Sequence, residues 1–275
     1  MSSERIIEQK EFGDYRVSVW YDQYAQCPTQ DMTLCGHFIW ENDHCISSYS
    51  DTEDLWCTPK SLEDVLKDLV CRYVSQKKVI KYINEYTKFR FFYHKDTHMW
   101  SFEYYSEDGW RGPDWYSFID LTPKEYHGED CVDCICDYLG EEDFEYLLYS
   151  CQKEIAFTTW ASHGYCQGNY ARGVAYCDIE RFKKNCGNDS NWRNRAVEYM
   201  LGEAELIGKW MWNDVYGFTL EKKERYLKRC LSSNKEDFID EEWEEVESCG
   251  GFYTDYDDIV DYVIKDYNLQ SKITA

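Results

Sequence analysis

The sequence predicts an α+β fold, with antiparallel or mixed sheets carrying packed helices in two lobes. Three observations lead there. Aromatic-rich stretches that alternate with period two recur near both ends and the middle of the chain; stretches with period three to four separate them; and 43% of the residues are hydrophobic, enough to build a core. With 275 residues the chain has room for one large or two modest domains. The expected division is an N-terminal strand segment (1–50) that packs with the C-terminal part, an inserted or diverged lobe (51–150), and a C-terminal α+β lobe (151–275). Only four prolines and no Gly/Ser-rich tract mean that no flexible linker is expected.

Residues 12–22, FGDYRVSVWYD, set Tyr15, Val17 and Val19 between polar neighbours and read as a strand. A second strand is expected over Cys35–Trp40, with the turn residues of CPTQD between the two making an N-terminal hairpin or meander. From Ser61 the apolar positions become Leu62, Val65, Leu66, Leu69, Val70, Tyr73 and Val74, with Pro59 ahead and Glu63 and Asp64 in the first turn, the pattern of an amphipathic helix. A shorter helix follows through Val79, Ile80 and Ile83. KFRFFYHKDTHMWSFEYY then has the composition of two strands joined at Lys95-Asp96-Thr97, and GWRGPDW reads as a loop. Glu141–Cys151 reads as helix, RGVAYCD (172–178) as strand, IERFKKNCG as a short helix closed by Gly187, and 191–209 as a longer helix. VYGFTLEK is expected to be a strand, WEEVESCGGFY a strand running into a glycine turn, and 257–267 a final amphipathic helix.

Composition narrows function. Fifty-three acidic residues stand against thirty basic ones, a formal charge of −23, beside 25 tyrosines, 13 phenylalanines and 11 tryptophans. Acidic disordered chains are poor in aromatics, so this one is expected to fold. Its negative field repels nucleic acid and anionic membranes and steers it toward basic surfaces, while tyrosine and tryptophan supply rigid contact area. The expected partner is therefore a protein with a basic surface, with no direct nucleic-acid contact, no membrane, and self-association left open. Met1–Lys10 lacks the apolar core of a signal peptide, and no run approaches the ~18 apolar residues of a span. The fourteen cysteines are accordingly expected to be reduced thiols of a cytosolic protein, which leaves the Asn188-Asp189-Ser190 sequon without use.

Several groupings invite a chemical reading. His127, Cys131, Cys134 and Cys136 have zinc-ligand types at short spacing and would close a tetrahedral structural site if the segment were a loop; scattered buried cysteines are the alternative. Cys27, Cys35, His37, His44 and Cys45 fit no familiar signature. His94 and His98 are separated by KDT, so HExxH is not met, and His163 near Cys166 lacks an orienting third group. Phosphate-binding glycine patterns are absent, and Gly250 and Gly251 are expected to serve a tight turn or close backbone packing. The expectation is therefore no catalytic residue and no cofactor beyond a candidate structural zinc.

The acidic runs at 51–54, 141–145, 236–247 and 255–258 read by default as solvated faces. Their functional reading is a charged docking surface. Carboxylates on a rigid scaffold can compete with DNA phosphates for a basic channel, and interleaved aromatics can anchor the contact. The candidate partner-binding residues are Glu241, Glu242, Trp243, Glu244, Glu245, Phe252, Tyr253, Asp255, Tyr256, Asp257 and Asp258.

NDVYGFTLE (213–221) and WEEVESCGGFYTD (243–255) together resemble a large family of phage, prophage and mobile-element proteins with a GdVYGf strand and a WeevDSCwGFYG segment. AVEYMLGEAELIGKWMWND, RGVAYCDIERFKKNCG and DYRVSVWYDQYAQCPTQD are similar to further elements of that family. The chain departs from it at DMTLCG in place of WDNLG, at Gly250 in place of tryptophan, and at Thr254 in place of glycine; the family's HRRY is missing and residues 50–150 diverge. The resemblance implies a viral or mobile-element origin and, for an accessory protein of such genomes, action in the host cytoplasm against a nucleic-acid-processing defence complex of the restriction, CRISPR or Gabija type. A zinc-stapled enzyme and a virion-associated protein are the competing readings.

Overall fold

The computed structural model describes residues 6–42, 45–53, 55–56, 58–108, 113–126, 130–150, 155–164, 170–228 and 238–272. The strands are β1 (Ile6–Phe12), β2 (Tyr15–Tyr21), β3 (His37–Asn42), β4 (Cys45–Ile46), β5 (Phe89–His94), β6 (Met99–Ser106), β7 (Asp114–Leu121), β8 (Ile155–His163), β9 (Tyr170–Asp178), β10 (Tyr216–Lys228) and β11 (Phe238–Phe252). The helices are α1 (Pro28–Asp31), α2 (Leu62–Tyr73), α3 (Gln76–Tyr86), α4 (Pro123–Tyr126), α5 (Asp130–Cys136), α6 (Glu141–Ser150), α7 (Ile179–Cys186), α8 (Trp192–Met211), α9 (Tyr256–Asp266) and α10 (Leu269–Lys272). The fold is α+β, and every strand pairing among the described residues is antiparallel. Two compact units result, one formed by Met1–Met32, Gly164–Gln167 and Ala204–Ala275, the other by Thr33–His163 and Gly168–Glu203. The divisions fall at residues 32, 163, 167 and 203, where the sequence had suggested 50 and 150.

The first unit is built on the sheet β1-β2-β10-β11. Val17 and Val19 of β2 lie beside Phe218 and Leu220 of β10, and α9 covers them with Ile259, Val260 and Val263, all buried. This is the helix face that the spacing of apolar residues in 257–267 dictates. The opposite side of β2 presents Trp20, whose indole lies across Gly217 and donates Nε1–H to Thr219 Oγ1 at 3.0 Å. Asp22 ends the strand: its carboxylate accepts from Tyr24 N at 3.0 Å and Gly251 N at 2.8 Å, fastening β2 to the end of β11. Gly250 sits against the same carboxylate, where a Cβ would lie 2.3 Å from Asp22 Oδ2, and Gly251 has φ +81°. Of the turn or close packing expected of this pair, the close packing is present; both residues lie within β11, at a register shift against β10, and form no turn.

The second unit contains the sheets β4-β3-β9-β8 and β5-β6-β7. Its core joins Leu62, Val65, Leu66, Leu69 and Val70 of α2 to Phe144, Leu147 and Leu148 of α6 and to Ile39, Val174 and Tyr176 of the first of these sheets. Ser61 caps α2 by accepting from Asp64 N, and Gly187, at φ +91°, closes α7. The N-terminal hairpin expected of β2 and β3 does not form. β2 pairs with β1 and β10, while β3 pairs with β9 and β4, so the CPTQD segment, which includes α1, connects strands of different sheets.

Candidate functional site

β11 and the start of α9 carry the predicted docking residues. β10 is paired with β2 only as far as Lys222, opposite Tyr15, whereas its pairing with β11 continues to Lys228 opposite Phe238. Residues 223–228 and 238–243 therefore form a two-stranded ribbon that runs past the β2 edge. Alternation places Lys223, Arg225, Glu241 and Trp243 on one face and Glu224, Lys228, Asp240, Glu242 and Glu244 on the other.

The ribbon is only partly neutralised by its own cations. Arg225 Nε lies 3.1 Å from Glu241 Oε1, and Lys228 bridges Asp240 and Glu242. Tyr226 donates its hydroxyl to Glu244. The hydrogen bond from Lys228, and then its charge, hold the Asp240 carboxyl below its ordinary range. Glu245 and Glu247 are exposed and have no ion pair among the described residues. At the start of α9, Asp255, Asp257 and Asp258 are exposed; they favour the positive end of the helix dipole, and Asp258 accepts from Thr254 Oγ1 at 2.8 Å. Lys10 Nζ lies 3.7 Å from Asp257.

The aromatic half of the prediction divides. Trp243 is half-buried beneath two cations, with the Arg16 guanidinium 4.4 Å and Lys223 Nζ 4.9 Å from its ring centroid, and Arg16 is itself locked to Glu221 by bonds of 2.6 and 2.7 Å. Phe252 packs against Phe218 and Tyr262. Tyr253 donates to Gln26 O at 2.9 Å; burial first, then the nearby Cys27, Asp31 and Asp22, push its hydroxyl up to about 12. These three serve packing within the unit. Tyr256 remains exposed, with its ring edge-on to Tyr216. Sequence reasoning missed the exposed Leu227, Ile239 and Val246, two of which face each other across the ribbon. The strand alternation could have found them.

The metal candidates fall differently. Cys131, Cys134 and Cys136 lie on α5, a helix and not a loop, with Cys131 and Cys136 buried and Cys134 exposed. Burial first, then the neighbouring Cys134, push the Cys131 thiol up to about 11, while Cys136 hydrogen-bonds with Cys71 of α2. His127 lies outside the described residues. Among the described residues, no group of three or more histidine, cysteine, aspartate or glutamate side chains is placed to hold a metal ion. Cys27 bonds with Thr29 in one unit while Cys35 and His37 belong to the other; Cys45 is exposed and His44 is outside the described residues. His94 Nε2 lies 3.2 Å from Glu103 and His98 Nδ1 3.1 Å from the Tyr93 hydroxyl, so the two are held by different partners. His163 stacks on Tyr170, and Cys166 is outside the described residues.

The second unit also holds a polar network that no motif announced. Arg181 donates to Cys35 O (3.1 Å), Gly36 O (2.8 Å) and His37 Nε2 (3.1 Å), and His37 Nδ1 lies 2.7 Å from Asp51. Because arginine can only donate, His37 Nε2 accepts and Nδ1 carries the proton shared with Asp51. Burial raises the Asp51 carboxyl, but the hydrogen bond from His37 and the charge of Arg181 outweigh it, so its pKa is lowered. Glu203 accepts from Cys35 N and Gly36 N, and its burial outweighs those bonds and raises its pKa. Arg181 and Glu203 thus hold the Cys35-Gly36 backbone between α1 and β3, and His37 and Asp51 complete the cluster by pairing with each other.

No helix among the described residues is long and apolar enough to cross a membrane. No protein-family model, curated protein or solved structure matches the chain.

Proposed function

We propose that this chain is a non-enzymatic binding protein whose acidic surface, formed by β11 and the first turn of α9, docks on a basic surface of a partner protein. The observation that carries the reading is the run of carboxylates from Asp240 to Glu247 along a mostly exposed strand, continued by Asp255, Asp257 and Asp258. Carboxylates gathered inward would favour an ion site; these point outward, where they steer a cationic partner and raise its association rate. The resemblance of NDVYGFTLE and WEEVESCGGFYTD to phage and mobile-element proteins is what leads us to favour one partner class, a nucleic-acid-processing host defence complex, blocked in the cytoplasm by occupation of its DNA path or by steric caging. No cofactor enters this reading.

The test is capture of a partner from host lysate, with and without nuclease digestion, by the natural chain and by a variant with Glu245, Glu247, Asp257 and Asp258 changed to their amides. The expected result is a protein partner retained after digestion, lost with the variant, and able to cut or bind nucleic acid on its own. A variant that captures the same partner equally well rules out the acidic surface, and a partner lost on digestion rules out direct protein contact.

A further inference from the structure

We infer that the outer edge of β11 receives an extended, lysine- or arginine-bearing segment of the partner as an added strand. The inference rests on the acidic-surface reading and specifies its mode.

β11 is the terminal strand of its sheet, paired along Phe238–Phe252 with β10 and, among the described residues, with no strand on its other side. Alternate residues of such a strand turn backbone N–H and C=O groups away from the sheet, where an incoming chain can pair with them. The edge is about 50 Å long at ~3.3 Å per residue, and it is exposed from Glu244 to Gly251 without interruption. Natural edges are usually protected by charged side chains, proline or β-bulges. β11, FIDEEWEEVESCGGF, has register shifts at Val246 and at Gly250-Gly251, and its charges are all carboxylates with no proline, lysine or arginine, so they repel an anionic strand and admit a cationic one.

Charge then selects the occupant. Side chains directly opposite across a strand pair are close enough for like charges to repel and unlike charges to attract. A second copy of β11 laid against the first would set carboxylate against carboxylate, which disfavours self-pairing through this edge. A basic strand meets carboxylates whichever way its side chains point, since Glu241 lies on one face and Asp240, Glu242 and Glu244 on the other. The cations of β10 reach these groups from the inner side only. Nearer the sheet, Glu245 is opposite Glu221, whose carboxylate is held by Arg16, and Glu247 is opposite Leu220. Neither has a cationic partner among the described residues, which leaves both carboxylates open to an incoming strand. Val246, half exposed at a register shift between them, offers the adjoining apolar contact.

The probe is a fluorescein-labelled peptide KVKVKVK, followed by anisotropy at low salt, with the same peptide N-methylated at every internal amide as control. The methylated peptide keeps the charge and loses the backbone donors. We expect the first to bind at least about tenfold more tightly than the second, and Val246→Pro to weaken it by a similar factor. Amide exchange of β11 should slow on addition of the unmodified peptide, a readout independent of whether the proline variant folds. If both peptides bind alike and Glu245→Gln/Glu247→Gln weakens both, strand addition is overturned while the acidic-surface reading stands. If neither peptide binds, strand addition is overturned, and the acidic-surface reading is then decided separately by the lysate capture.

Discussion

Replacing Gly217 by alanine tests whether the first unit is assembled as described. A Cβ at that position would lie 2.4 Å from Cη2, 2.5 Å from Cζ2 and 2.7 Å from Cζ3 of Trp20, against ordinary contacts of 3.4–4 Å. The indole has to retreat by about 1 Å, yet it is 8% exposed and tethered by its bond to Thr219. Overpacking of this kind costs roughly 1–3 kcal/mol, and losing the hydrogen bond adds about 1 kcal/mol. Gly217 has no positive φ, so alanine recovers about 0.4–1 kcal/mol by stiffening the unfolded chain. The net expectation is a loss of about 1–3.5 kcal/mol, measured by urea unfolding with circular dichroism and confined to the unit of β2 and β10 by hydrogen exchange. Trp20→Leu removes the obstructing ring, so Gly217→Ala made in that background should cost almost nothing. A loss under about 0.5 kcal/mol in the natural chain, or the same loss in both backgrounds, would refute the packing of Trp20 on Gly217.

Asp51→Asn should destabilise the protein by about 1–2 kcal/mol near neutral pH, because a charged hydrogen bond to His37 is lost. As the folded pKa of Asp51 is lowered, its contribution is complete above the ordinary value of 3.8 and disappears as the pH falls through the folded value; the stabilities of the two proteins should therefore converge in acid, and a gap that does not narrow as the pH falls below 3.8 would contradict the pairing. Maleimide labelling of the native protein, read by mass spectrometry, should modify Cys45, Cys134 and Cys249 first among the described thiols. Cys186 should lag although exposed, since burial and its bond to Cys35 push it up to about 12, and Cys27, Cys35, Cys131, Cys136 and Cys177 should react only on unfolding. Early labelling of Cys131 or Cys136 would show that α5 is misplaced.

Much of the fold was legible because it is local. Ser61, the acidic first turn and the recurrence of Leu62, Val65, Leu66 and Leu69 fix α2 within one residue, and Asp178 and Gly187 bracket α7 through a cap bond and a positive φ. Four strands were not legible, and one of them, β4, has only two residues and so no period to read. β1 and β7 are mostly exposed or half-buried, so they show no clean apolar alternation, and β8 is buried on both faces over Ile155–Thr158, which erases period two altogether. Pairing was less legible still: β2 meets β10 some two hundred residues away, a contact no local pattern specifies, and that is why the expected hairpin with β3 failed. In the candidate site the carboxylates could be read, but the roles of the aromatics could not. Trp243 looks like an anchor in WEEVE and is instead spent under Arg16 and Lys223, which a linear sequence separates from it.

The distribution of charge leads to a last prediction, in which salt acts with opposite signs on folding and on binding. A net charge of −23 makes the compact chain repel itself, and added electrolyte screens that repulsion. The same electrolyte weakens the ion pairs of Arg225 and Lys228 on the ribbon, but these are surface pairs, and such pairs contribute little to stability. Screening of the global repulsion should therefore win, and raising NaCl from about 20 to 200 mM, which shortens the screening length to below ~10 Å, should raise Tm by a few degrees. Binding of the KVKVKVK probe depends on attraction to the unpaired Glu245 and Glu247 and should weaken over the same range. Differential scanning fluorimetry and anisotropy on one salt series separate the two effects. A Tm that falls with salt would mean that the exposed pairs, and not the excess carboxylates, dominate the electrostatics of this chain, and the acidic surface would then be spent on the fold and not held for a partner.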